Sequence, residues 1–208
     1  ESLNCRDDAL IAALFIEYQD GTEEFIPTDK TWECSKSNII YSHVYNGETV
    51  DFTANTDETF PVKELYDVNK DILVPMEGEE TREMARLSPV ELIKTPKGET
   101  VIDFGQNLTG YVEWVVPAKK GKVFRLQHAE TLDKDGNFYT TNLRGAKAEI
   151  TVISDGTQRV YKPHFSYQGF RYIKLDGFKK EDIDLENFCA IVVFSNMKRT
   201  GYFACGND

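Results

Sequence analysis

Short apolar runs separated by turn residues dominate the chain. ALIAALFIEY (9–18) runs into Gln19-Asp20-Gly21-Thr22 and is answered by EEFIP. An Asp-Gly between apolar runs predicts a hairpin. The alanines of the first run also fit a helix, but the tight turn and short return segment decide for strand. NIIYSHVY (38–45) reads as a further strand closed by Asn46-Gly47. Residues 53–88 break the pattern: they are acidic, carry Pro61 and Pro75, and lack sustained alternation. They read as an extended connector with one short helix around KELYDV.

From residue 89 the alternation sharpens. VELIKT, TVIDF, YVEWVV, KVFRLQHA, AKAEITVIS, GFRYIKLDG and NFCAIVVF are each bounded by Gly, Asp-Gly or Pro-Lys-Gly turns. Side chains alternate across a strand, so Val112, Trp114 and Val116 share one face, as do Phe124, Leu126 and His128. Gly105 and Gly110 bracket an expected turn. Repeated short strands of this kind predict an all-β chain, an antiparallel β-sandwich of jelly-roll type.

Charge narrows the partners. Asp plus Glu number 35 against 24 Lys plus Arg, a net −11. Such a surface repels phosphate backbones and anionic lipid, so nucleic acid is not expected as a partner, while neutral sugars are compatible. No apolar run approaches the ~20 residues of a membrane helix, so no membrane insertion is expected. Cys5, Cys34, Cys189 and Cys205 form no C-x-x-C pair and have no histidine at metal-ligand spacing, so no metal ligand is assigned from them. Cys189, inside FCAIVVF, is expected to act as a buried small hydrophobe.

Candidate chemistry is sparse. No G-x-S-x-G elbow, phosphate-cradling loop or paired carboxylate can be picked out by spacing. His128 shares a face with Phe124 and Leu126 and is expected in the core. Glu130 ends a strand before a polar loop. It reads either as an acid at the sandwich rim or as the partner of Arg171, whose guanidinium would lower its pKa. Trp114 is expected in the core, and Trp32, beside a polar stretch, is expected to be more open.

Several strings resemble bacterial α-L-rhamnosidases. VIDFGQNLTGYVEW (101–114), RLQHAETLDKDGNFYTTNLRGAKA (125–148) and YKPHFSYQGFRYIKLDG (161–177) follow the order and spacing of the β-sandwich domain that precedes that family's catalytic domain. REMARLSPVEL (82–92) resembles its lead-in. Segments 9–33 and 45–52 resemble the end of the family's N-terminal β-sandwich domain, with the motifs Asp20-Gly21, Thr28-Asp29 before Trp32, and Gly47-Glu48 before Asp51.

The resemblance implies four parts. They are the C-terminal part of a second, N-terminal β-sandwich (1–52), the connector (53–88), the main β-sandwich (89–198) and the start of a linker (199–208). It implies a parent that hydrolyses terminal α-L-rhamnosides, with a periplasmic or extracellular location favoured. The parent's catalytic acids would sit in a toroid of paired helices, expected beyond Asp208, which acts through an activated water. That toroid would be an intramolecular partner, and rhamnose-containing carbohydrate a partner through the parent enzyme.

In some relatives the N-terminal domain is a calcium-dependent rhamnose-binding module. Trp32, Asn46, Glu48 and Asp51 are the residues here that could form such a sugar site, and oxygen ligands on a loop would suit Ca2+. His128, Glu130 and Arg171 are expected to shape the sandwich or its contact with the helical domain. Three functions stay open: an accessory structural part, a sugar-binding module, and a complete enzyme with its own carboxylate pair.

Overall fold

The structure, a computed structural model, describes residues 9–65, 69, 71 and 73–206. Its contacts divide the chain into two compact units, residues 1–37 with 55–76, and residues 38–54 with 77–208.

The smaller unit holds two short antiparallel ladders. β1 (Ala13–Glu17) pairs with β2 (Glu23–Pro27) across the expected Asp20-Gly21 turn, placing Phe15 opposite Phe25. β3 (Glu33–Ser35) pairs with β6 (Thr59–Pro61), which lies inside the expected connector. None of the unit's described residues is buried, and Leu14, Phe15 and Phe25 lie open. Residues 63–65 of the expected KELYDV helix form no helix, and Tyr66 to Val68 lie outside the described residues.

The larger unit contains one ten-stranded, mostly antiparallel sheet. Along its path lie β4 (Ile39–His43), β5 (Gly47–Asp51), β13 (Glu149–Ile153), β10 (Val123–Ala129), β15 (Gln168–Asp176), β9 (Thr100–Val116), β16 (Phe188–Ser195) and β7 (Thr81–Leu87). β8 (Glu91–Lys94) and β14 (Arg159–Tyr161) pair with the two ends of β9. A minor ladder joins β11 (Thr131–Leu132) to β12 (Phe138–Tyr139).

The sheet curls along β9, which pairs first with β15 and then with β16. From Leu108 to Val116 every second residue of β9 is buried, as period-two alternation requires. The expected turn at Gly105 is instead a bulge inside this one continuous strand: Phe104 to Asn107 bow out opposite Arg171. Gly110 is needed for a different reason, since a Cβ there would sit 1.9 Å from the carbonyl oxygen of Ile191.

Side chains from β5, β9, β10, β13, β15 and β16 meet in one core around Trp114, which stacks parallel on Phe188 at 6.3 Å and meets Phe124 edge-on at 6.2 Å. Each large apolar side chain buried there contributes about 1.5–3 kcal/mol. Cys189 is only half-buried, because its side chain falls on the outward step of β16.

The units cut across the expected domain limits. β4 and β5 come from the segment read as part of the N-terminal domain, yet β5 pairs with β13 in the larger unit. That pairing is parallel, Gly47 to Asp51 against Glu149 to Ile153. Contact is so close that a Cβ on Gly47 would lie 2.0 Å from the oxygen of Glu149.

Candidate functional site

The four residues expected to form a sugar site divide between the two units. Trp32 belongs to the smaller unit, where its half-exposed indole donates to the Pro27 carbonyl at 3.2 Å beside a hollow of about 480 Å3. Asn46, Glu48 and Asp51 belong to the larger unit, and each is engaged separately. The Glu48 side chain is fully buried. Its carboxylate accepts the Tyr161 hydroxyl and the backbone N–H groups of His164 (3.1 Å) and Phe165 (3.0 Å). Burial and this contact push the Tyr161 phenol well above its ordinary pKa. Asp51 accepts the N–H and hydroxyl of Thr53 at 2.8 and 2.6 Å, closing a turn. Each of these side-chain oxygens already has partners within the chain. Among the described residues no group of three His, Cys, Asp or Glu gathers to hold a metal.

Asn46 does lie at a site, with different companions. The β4–β5 turn and the loop at 143–146 enclose a depression of about 510 Å3 lined by His43, Tyr45, Asn46, Leu143, Arg144 and Ala146. The chain builds it by local bonding. His43 Nδ1 accepts the N–H groups of Tyr45 (3.1 Å) and Asn46 (3.3 Å). With Nδ1 accepting both bonds, Nε2 is the ring nitrogen left to donate. Tyr41 stacks on His43 at 6.4 Å with only 11° between the planes. The Asn46 amide donates to the Tyr41 hydroxyl at 2.9 Å and accepts the Lys147 N–H at 3.4 Å, tying turn to loop.

Arg144 follows a short 3-10 turn (Thr141–Leu143) and takes φ +58°, a conformation costing a non-glycine residue about 1–3 kcal/mol. Among the described residues its guanidinium has no hydrogen-bond or ion-pair partner. The carboxylates that follow the two segments in sequence are engaged elsewhere. Glu48 is buried, and Glu149 binds Thr151 at 3.0 Å and faces Arg125 at 3.6 Å. Segments 38–47 and 137–148 contain no Asp or Glu at all, in a chain with 35 of them.

The remaining candidates have structural places. His128 is buried as expected. Its Nδ1 bonds the Ala148 carbonyl at 2.9 Å, its backbone N–H reaches the same oxygen, and Phe170 meets the ring edge-on at 4.8 Å. Nε2 is buried without a partner among the described residues, and burial pulls the imidazole pKa down to about 4. His128 therefore props the base of the 143–148 loop from inside.

Glu130 does not pair with Arg171. It is exposed and accepts the Asn107 amide at 3.1 Å, while Arg171 makes a two-pronged bond to Asp103 at 2.8 and 2.8 Å. The β9 bulge decides this, because it sets Asp103 beside the guanidinium and adds the Gly105 N–H at 2.6 Å. Burial would raise the Asp103 carboxyl, but Arg171 and Gly105 outweigh it and hold it below the usual range.

His43, Tyr45 and Arg144 were not singled out by sequence reasoning. The signal present was Tyr41, His43 and Tyr45 at every second position beside Asn-Gly.

Residues 93–194 match the bacterial α-L-rhamnosidase concanavalin-like domain, and residues 2–77 match the α-L-rhamnosidase N-terminal domain. The chain belongs with the bacterial α-L-rhamnosidases. An α-L-rhamnosidase of Streptomyces avermitilis is 34% identical over 82% of this chain, and one of Formosa agariphila 30% identical over 94%. The chain spans only 18% and 22% of those rhamnosidases. The crystal structure of native α-L-rhamnosidase from Aspergillus terreus superposes on 95% of the chain and 24% of its own, with TM-score 0.81 and 32% identity. That of the S. avermitilis enzyme complexed with L-rhamnose covers 89% of this chain and 19% of its own, with TM-score 0.78 and 29% identity. The rhamnosidase N-terminal match includes β4 and β5, which fold into the larger unit. No helix among the described residues is long and apolar enough to cross a membrane.

Proposed function

We propose that this chain is the accessory β-sandwich part of an enzyme that hydrolyses terminal α-L-rhamnose from glycosides or polysaccharides. In this reading it is inactive alone and supports a catalytic domain of the same polypeptide. The observation that carries the reading is the joint match: both β-sandwich domains of the family occur in order, while the chain spans about a fifth of its relatives' length. The buried acids fit this role, since Asp103 and Glu48 are consumed by internal hydrogen bonds.

The test is an assay of this chain on an aryl α-L-rhamnoside, alongside a full-length relative. The chain should give no turnover above buffer while the relative is active. Turnover that survives repurification would show that the sandwich holds its own carboxylate pair and would overturn the reading.

A further inference from the structure

We propose that the depression between the β4–β5 turn and the 143–146 loop binds an anionic sugar, a pyranose ring carrying a carboxylate. The proposal deepens the accessory role and rests on it only for the choice of a saccharide as ligand. Three features carry it. Tyr45 and His43, both exposed, line the depression, and the apolar face of a pyranose packs on such rings. The tautomer of His43 is fixed so that Nε2 offers a donor, and Asn46 keeps one amide hydrogen beyond its bond to Tyr41.

The third feature selects the charge. Arg144 lines the depression with no partner among the described residues, and its planar fork matches a carboxylate with two parallel bonds. The chain as a whole carries −11 and repels anions, yet both segments forming the depression lack acids and contribute Arg144 and Lys147. A neutral sugar would leave the guanidinium with nothing but water.

The test titrates the intact chain with methyl glucuronoside, with its neutral twin methyl glucoside, and with acetate, following amide shifts by NMR. The glucuronoside should shift the 43–46 and 143–147 amides and bind at least about fivefold tighter than either control, the margin expected of a partly exposed charge-assisted contact. Arg144→Gln should erase that preference, and Tyr45→Ala should weaken binding of both sugars, with circular dichroism unchanged in each variant. Equal binding of the two sugars would overturn the carboxylate assignment. Equal binding of acetate would reduce the site to a plain anion contact and overturn the sugar. No shift with any probe, or an Arg144→Gln variant that behaves like the parent, would overturn the proposal outright. None of these results depends on turnover of a rhamnoside, so failure here and failure of the accessory reading are separable.

Discussion

Acidification should destabilise the larger unit through His128. Its ring is fully buried, one nitrogen bonds the Ala148 carbonyl, and the other has no partner among the described residues. Protonation would place a charge with one unsatisfied N–H against Phe170, so the folded-state pKa falls to about 4. The unfolded chain binds the same proton near 6.5. Because the unfolded state is protonated first, the stabilising difference is fully present above ~6.5 and shrinks as pH falls. It is gone once pH passes the folded value of about 4. At pH 5 the linkage amounts to roughly 2 kcal/mol, and in full to roughly 3 kcal/mol.

The assay is urea unfolding at stepped pH, for the parent and for His128→Asn, whose amide can keep the bond to Ala148 without titrating. The variant is less stable at pH 7 because it leaves a void beside Phe170. The difference between the two should narrow by about 2 kcal/mol between pH 7 and pH 5. Parallel losses in parent and variant over that interval would refute the reasoning.

Glu48→Ala strips the N–H groups of His164 and Phe165 and the Tyr161 hydroxyl of their buried acceptor, and should cost about 3–5 kcal/mol with faster hydrogen exchange at both amides; unchanged protection would show that the loop holds itself. Asp103→Asn removes the charge from the bond to Arg171 and should cost about 2 kcal/mol in urea unfolding at pH 7, a loss that should shrink as pH falls below the usual carboxylate range and through the lowered pKa of the aspartate; a loss that stays constant with pH would refute the charge's role. Glu130→Gln, by contrast, should leave the melting temperature unchanged, because Glu130 is exposed and does not touch Arg171. A protein cut to begin at residue 78 loses β4 and β5, leaves the outer edge of β13 unpaired, and should aggregate or fail to melt cooperatively.

Much of the sheet was legible because burial follows alternation. Val112, Trp114 and Val116 point inward and the Asp-Gly turn at Asp20 closes a hairpin, as local chemistry dictates. Gly105 misled because a positive φ serves a bulge as well as a turn, and only the spacing of β15 decides between them. The partner of Arg171 was hidden for the same reason: with 35 acids available, the choice of Asp103 over Glu130 is made by strand register. Of the sugar-site residues only Asn46 reached the depression. Glu48 is instead drawn into the interior by the 164–165 amides, and Asp51 closes its own turn with Thr53, pairings that no local pattern announces. Arg144 could not be found from sequence, since its approach to His43 depends on the pairing of β5 with β13.

The parallel ladder between β5 and β13 also constrains how the molecule can be made. During synthesis Gly47 leaves the ribosome long before Glu149, the residue it must face. Until then β5 has no neighbour on that side, and Glu48 has none of the donors that bury it. The early chain must therefore stay soluble in an unfinished state and complete itself only when the later strands appear, a slow, long-range closure. The same interlock means that a cut at the boundary the sequence motifs imply would part β5 from the strand it pairs with.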